Sequence, residues 1–294
     1  VISPELRKQI KTLQLKAGHD VSNILAGEYV SAFKGRGMEF DEVREYFPGD
    51  DVRAIDWNVT ARMGQPFIKV FREEREMTLM LMVDVSPSQF FGTQEKSKVE
   101  IAAELAAVLA FLAIRNNDRV GVILFSDHVE QYIPPMKGRS HIWNIIRSVL
   151  SHEPKGRATK LDEAISHYLQ VIKRRSLCFL ISDFLTEGYE NKLKQLAARH
   201  DLVCVDIEDP REQEWVDAGL LAIQDSETGE QLVLDSGDPN LWRQIEEAWQ
   251  EKVDGLQGLA RKSGFDILSL RTNQSIVDGL MAVFKRRERR QRRR

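Results

Sequence analysis

The chain has 294 residues, a mass of 33.8 kDa, 42% apolar residues and a formal net charge of −3. These are the proportions of an ordinary globular protein, with room for one large α/β domain or one domain with an appended part. No apolar run reaches the ~18 to 20 residues of a membrane span, and the charge is uneven. Lys285 to Arg294 carries eight basic residues and one acid, against 34 basic and 44 acidic residues elsewhere, a net of −10.

The start, Val1-Ile2-Ser3-Pro4-Glu5, lacks the basic head and apolar core of a signal peptide, so a cytoplasmic setting is expected. Cys178 and Cys204 each sit inside an apolar run and read as small core residues, not as a redox pair. Residues 4–17 place Leu6, Ile10, Leu13 and Leu15 at roughly helical spacing. From Gly27 to Gly64 the pattern is irregular and charged, yet it holds Phe33, Phe40, Tyr46, Phe47, Ile55 and Trp57. Buried aromatics among ion pairs are expected there, with Arg44, Arg53, Asp56 and Arg62 pairing with one another or facing a partner. Gly35-x-Gly37 lacks the third glycine and the preceding strand of a phosphate loop. Residues 1–76 are thus read as an N-terminal polar and aromatic lobe, irregular or β in character, with Pro66 to Arg72 a strand and 72–76 a solvated hairpin end.

Leu79 to Val83 is a continuous apolar run ending in Asp84, the pattern of a strand buried on both faces of a parallel sheet. Ser97 to Arg115 is apolar nearly all round, a helix packed against that sheet. Arg119 to Phe125 is a second buried strand. Val129 to Ile133 is a short edge strand stopped by Pro134-Pro135. Helices follow at about 138–151 and 161–173, separated by Lys155-Gly156-Arg157-Ala158-Thr159-Lys160. Ser176 to Asp183 is a third buried strand. A helix near 189–200 leads to a fourth, Asp201 to Asp206. Leu220–Ile223 and Gln231–Leu234 flank a hairpin signal at Ser226-Glu227-Thr228-Gly229. A polar helix at about 239–262, a strand at 265–270 and a helix from about 274 complete an α/β domain over 77–284. Its order predicts a doubly wound, mostly parallel sheet. Residues 285–294 form a basic tail, expected either to fray without consequence or to touch an acidic surface such as anionic lipid. Truncation at Phe284 is expected to leave folding intact, and a specific nucleic-acid groove is not expected in an acidic body.

Four strands end in acid: Asp84, Asp127, Asp183 and Asp206. A lone aspartate there is ordinarily a helix N-cap. Asp84 differs because Ser86 and Ser88 follow it, giving an all-oxygen set that suits Mg²⁺ or another hard divalent cation. Strand carboxyl ends are also where open α/β sheets bind ligands. A hydrolase or phosphotransferase using these aspartates is the alternative. It is disfavoured because the position two after Asp84 is Ser86, and His128, His141, His152 and His167 show no metalloprotease or triad spacing.

Asp84-x-Ser86-x-Ser88, then Thr159, then Asp183 resembles the metal-ion-dependent adhesion site of von Willebrand factor A domains. The resemblance implies direct ligation by Ser86 and Ser88. Thr159, Asp84 and Asp183 would bind directly or through water, and one position would stay open to a partner's carboxylate. Two departures are Pro87 inside the motif and Phe184 where those domains generally have glycine. A longer pattern covers nearly the whole chain: Phe33-Lys34-Gly35-Arg36-Gly37-Met38-Glu39-Phe40, Arg44-Glu45-Tyr46-x-Pro48-Gly49-Asp50-Asp51-Val52-Arg53-x-Ile55-Asp56-Trp57 and Ala61-Arg62. It resembles the bacterial family called domain of unknown function 58. That resemblance implies a non-enzymatic, metal-dependent protein-binding module. Its implied partner is a MoxR-type AAA+ ATPase, acting in the assembly or activation of client proteins.

Overall fold

The structure, a computed structural model, describes residues 23–33, 39–72, 76–93, 96–212, 218–225, 227 and 229–292. The helix expected at 4–17, the Lys34–Gly37 segment, the charged residues 73–75, Ser226, Thr228 and the last two arginines lie outside the described residues.

The centre of the molecule is β3 (Thr78–Asp84), buried along all but its first residue. Its side chains alternate between two cores, as a period of two requires. Leu79, Leu81 and Val83 face one core, and Met80 and Met82 the other. Parallel neighbours flank it, β4 (Arg119–Phe125) and β6 (Leu177–Ser182). Beyond β6 lie β7 (Asp201–Glu208) and β10 (Asp266–Arg271), also parallel. Beyond β4 lies β5 (Val129–Met136), the antiparallel edge. The order β10-β7-β6-β3-β4-β5 is that of a doubly wound sheet whose direction of winding reverses between β3 and β6.

Two helical layers cover the sheet. One holds α1 (Asn23–Phe33), α3 (Lys98–Arg115), α4 (Arg139–Ser151) and α8 (Ile276–Arg292), and the other α5 (Leu161–Val171), α6 (Glu190–Arg199) and α7 (Pro239–Ser263). Alanines at 102, 103, 106, 107 and 110 let α3 approach the sheet closely, and a Ser97–Glu100 capping box fixes its start.

Outside this sheet, β1 (Glu39–Glu45) pairs antiparallel with β2 (Phe67–Arg72), and the short α2 (Trp57–Met63) lies between them in sequence. The β8 (Leu220–Gln224) and β9 (Gln231–Asp235) strands form the expected hairpin. No described helix is long and apolar enough to cross a membrane.

Four expectations change. The edge strand continues through Pro134 and Pro135 to Met136. An edge position tolerates prolines because one side of the strand needs no ladder donor, and the register shifts beside them. Second, α1 belongs by sequence position to the N-terminal lobe, but its Leu25, Tyr29 and Ala32 are buried in the main core. The Tyr29 hydroxyl donates to Asp118 at 3.3 Å.

Third, the lobe's aromatics are not all interior: Phe47 and Trp57 are 59% and 69% exposed, with Val52 and Met63 exposed beside them in sequence. Arg44, Arg53, Asp56 and Arg62 do not pair with one another. Arg44 forms a two-pronged contact with Asp50 at 2.8 Å. Asp56 caps α2 and meets Lys69 at 3.3 Å. Arg53 and Arg62 are exposed.

Fourth, the described part of the basic tail is helical and held, not frayed, as far as Arg290. Arg287 is buried, bonds Asp266 at 2.6 Å and Asp201 at 3.0 Å, and stacks over the Phe33 ring at 4.5 Å. Arg290 reaches Asp266 at 2.9 Å, and Arg286 donates to the Ile267 carbonyl at 2.8 Å.

Candidate metal centre

The reversal of winding opens a crevice at the carboxyl ends of β3 and β6, and these ends carry Asp84 and, one residue past β6, Asp183. The chain leaves β3 through Ser86 into a short 3-10 turn, Pro87–Phe90. Pro87 stands at the first position of that turn, where its missing N–H costs nothing. The turn brings the Ser86 and Ser88 hydroxyls to 3.0 Å from each other. Asp84 Oδ1 accepts the Ser86 N–H at 3.0 Å and Oδ2 accepts the Ser182 hydroxyl at 2.7 Å.

Burial, and then the nearby charge of Asp183, push the Asp84 carboxyl up to about 7, although the Ser182 and Ser86 hydroxyls pull it down. Two carboxylates confined together in a dry strand end are costly without a cation. Lys98 supplies part of that compensation. It is the first residue of α3, only 1% exposed, and its ammonium meets Asp183 Oδ2 at 2.8 Å and Glu212 Oε1 at 2.6 Å. Burial opposes its charge, but those two acids outweigh burial and raise its pKa. Asp183 Oδ1 also accepts the Leu185 N–H at 3.3 Å.

Thr159 arrives from the loop between α4 and α5 and is buried. Glu130 holds that loop. Its carboxylate accepts N–H groups of Lys155 and Gly156, each at 2.9 Å, and the Ser126 hydroxyl at 2.7 Å. Gly156 leaves no room for a Cβ, which would strike Ser126 and Asp127. The Thr159 carbonyl accepts the Thr186 hydroxyl at 3.0 Å, tying the loop to the chain just past Asp183. The Thr159 hydroxyl donates at 2.8 Å to Glu227, from the turn between β8 and β9. Glu227 is itself raised, by burial first, and it feels the Asp183 charge.

Of the residues singled out by sequence, Asp84, Ser86, Ser88 and Asp183 lie at the ends of β3 and β6, while Thr159 contacts Thr186 and Glu227. Asp84 and Asp183 are coupled by charge, Ser86 and Ser88 by a hydrogen bond, and Thr159 joins through Thr186 and Glu227. The other two strand-end acids have partners of their own. Asp127 accepts the Arg157 N–H at 3.3 Å and His128 Nδ1 lies 2.5 Å from it. Asp206 meets Lys252 at 2.8 Å. The donor set of two carboxylates and three hydroxyls is hard oxygen throughout, which fits Mg²⁺. Among the described residues no group of three or more His, Cys, Asp or Glu converges as a metal cluster.

Phe184 has φ +55°, in the left-handed region that favours glycine, at the position where the sequence departs from that residue. Its ring is buried 5.9 Å from that of Tyr189, which offsets a backbone cost of about 1 kcal/mol.

Sequence reasoning missed Lys98, Glu130 and Glu212, and met Glu227 only as part of a turn. Lys98 lies in a run otherwise read as apolar helix, where a lysine at the first position attracts no notice.

The profile of the family described as "Protein of unknown function DUF58" matches residues 42–254. The uncharacterized protein Rv1480 of Mycobacterium tuberculosis is 32% identical over 289 residues, covering 97% of this chain and 90% of that protein. Its Mycobacterium bovis counterpart, uncharacterized protein Mb1516, gives the same figures. Among solved structures, an aerotolerance-related membrane protein from Bacteroides fragilis shares the fold at TM-score 0.50 and 17% identity, over 72% of this chain and 99% of that one.

Proposed function

The chain belongs to the DUF58 family, and for it we propose a von Willebrand factor A-like, non-enzymatic module that binds an acidic partner side chain through Mg²⁺ or another divalent cation. The observation that carries this reading is the pairing of Asp84 and Asp183 at the winding reversal, with the Ser86 and Ser88 hydroxyls beside them. Ser86, Ser88 and Thr159 would hold the cation with the two aspartates. A bound cation supplies positive charge and an exchangeable ligand position. The protein's own part is to keep these oxygens dry and oriented. Ser182 and the Ser86 N–H fix Asp84, Lys98 fixes Asp183, and Glu130 fixes the Thr159 loop. The histidines support a binding role over a hydrolytic one. His128 pairs with Asp127, His141 with the Val120 carbonyl, His152 with Glu130 and His200 with Ser176.

The partner we propose is a MoxR-type AAA+ ATPase together with a client protein. The exposed Phe47, Val52, Trp57 and Met63, near Arg53 and Arg62 in sequence, form a second contact region, a reading that follows from their exposure. The full chain, immobilised, should capture such an ATPase in Mg²⁺, lose it in EDTA, and lose it in Asp84→Ala. Equal capture in all three conditions would reject the metal bridge.

A further inference from the structure

The segment from Val52 to Met63 is fastened along β2. Ile55 bridges to Ile68, the Asp56 N–H donates to the Phe67 carbonyl at 2.8 Å, and the Phe67 N–H donates to the Thr60 hydroxyl at 3.0 Å. Lys69 of β2 meets Asp56 at 3.3 Å. Yet neither the 3-10 turn Val52–Ala54 nor α2 buries a single residue. At 100° per residue, Trp57, Asn58, Ala61 and Arg62 share one face of α2, and all four are exposed, while Val59 and Thr60 on the opposite face are half-buried. Val52 and Met63, before and at the end of α2, are 59% and 61% exposed, and Trp57 69%. A helix this short is marginal alone. It is held here by its polar contacts, and it displays its apolar residues to solvent. The charges are as telling. Asp50 is engaged by Arg44, Asp51 by the Arg53 N–H and Asp56 by Lys69. Among the described residues, the exposed Arg53 and Arg62 guanidinium groups meet no acid. Tryptophan and arginine are the side chains most enriched at the energetic centres of protein interfaces.

We infer that this face docks an acidic amphipathic segment of a partner protein, with apolar side chains laid over Trp57 and Met63 and carboxylates meeting Arg53 and Arg62. This rests on the reading of the region as a contact surface and needs no metal. A guanidinium takes a carboxylate through two parallel N–H bonds, which fixes orientation as well as charge. The lobe's balance favours a short acidic segment over a nucleic acid. Residues 39–72 carry seven acids against five bases, so a continuous phosphate backbone would meet repulsion on either side of the two free arginines.

The probe is a phage-displayed library of random peptides, panned on the full chain in EDTA. Enriched peptides are then synthesised with a fluorescein label and measured by anisotropy. They should combine Asp or Glu with aromatic or aliphatic residues, and bind equally in EDTA and in Mg²⁺. Trp57→Ser and the double variant Arg53→Glu/Arg62→Glu should each weaken them about tenfold or more. Added salt should weaken binding to the wild type and leave the double variant unaffected. Arg53→Lys/Arg62→Lys, which keeps the charge and loses the fork, should retain part of the affinity. Arg243→Glu, at an exposed arginine of α7, controls for net charge and should bind as the wild type does. Thermal denaturation should show all these chains folded, since the substituted side chains are exposed. If no peptide distinguishes the wild type from Trp57→Ser or the double variant, the region is not a contact surface. If peptides do distinguish them but are neutral or basic, the contact surface stands and its acidic partner is wrong. Self-association of the wild type that the double variant lacks, or single-stranded DNA binding that it lacks, would assign the face to a second copy or to nucleic acid and overturn the inference.

Discussion

Glu130 shows how one side chain fixes a loop that a motif needs. Burial alone would raise its carboxyl. The N–H groups of Gly156 and Lys155, the Ser126 hydroxyl and the neighbouring His128 outweigh burial and bring it down to about 2. A carboxyl depressed in the folded state stabilises the fold above its unfolded value. That contribution is lost as pH falls through the folded value. Between pH 4.5 and about 2 the wild type should therefore lose stability through this group. Glu130→Gln should show less of that acid dependence and a lower melting temperature at pH 7, read by thermal denaturation across the pH series. If the two chains gave parallel pH profiles, the loop anchor would be misassigned. Asp84, Ser86 and Ser88 were legible because they are contiguous and follow an unbroken apolar run. Glu130 was not, because its partners lie 25 and 26 residues away in a loop of no regular pattern. Lys98 and Asp183 are separated by 85 residues, and Lys98 and Glu212 by 114. Nothing local marks such pairs.

Among the elements, those with a clean period were the most legible. The helices read at about 138–151, 161–173 and 189–200 are α4, α5 and α6, each within about two residues of the expected limits. Elements whose fate depends on distant partners were less so. The end of α8 is a run of charges with no apolar stripe, which by local pattern reads as a solvated tail. Tertiary context decides otherwise: Asp201 at the start of β7 and Asp266 at the start of β10 meet Arg287, and Arg287 lies over Phe33 of α1. The two ends of the described chain are thereby joined on one edge of the sheet. Removing one partner of a buried ion pair typically costs about 3 to 5 kcal/mol, since the other charge stays behind. Truncation after Phe284 is accordingly expected to lower the melting temperature sharply, and Arg287→Met alone to reproduce most of the loss. A truncated chain as stable as the full one would show that these contacts are incidental and that the tail is free to serve another surface.

At the scale of the whole molecule, the site lies on the seam between the two halves of the sheet. Asp84, Ser86 and Ser88 come from the half that runs β3, β4, β5, with Thr159 reaching in from the connection that follows it. Asp183 heads the half that runs β6, β7, β10. A cation there would tie the halves together, so its binding should be visible as global stability. The charge state of the seam gives the sign. Asp84 is pushed up to about 7, by burial first and by Asp183 second. Asp206, two strands from Asp84 on the β7 side, is also pushed up to about 7, by burial first and against the pull of Lys252. A carboxyl raised in the folded state favours folding below its unfolded value, and that contribution disappears as pH rises through the folded value. Metal-free protein should thus lose stability from these two groups between about pH 4 and pH 7, and be least compensated at pH 8. A ligand that binds only the folded state adds about 2.7 kcal/mol at a hundredfold excess over its dissociation constant. Mg²⁺ should therefore raise the melting temperature at pH 8 more than at pH 5, where protonated Asp84 is a poor ligand. Asp84→Asn should melt higher than the wild type in EDTA at pH 8, because it removes a buried charge, and should gain nothing from Mg²⁺. Equal responses to Mg²⁺ at the two pH values, or a full response in Asp84→Asn, would separate the buried aspartates from any role in holding a cation.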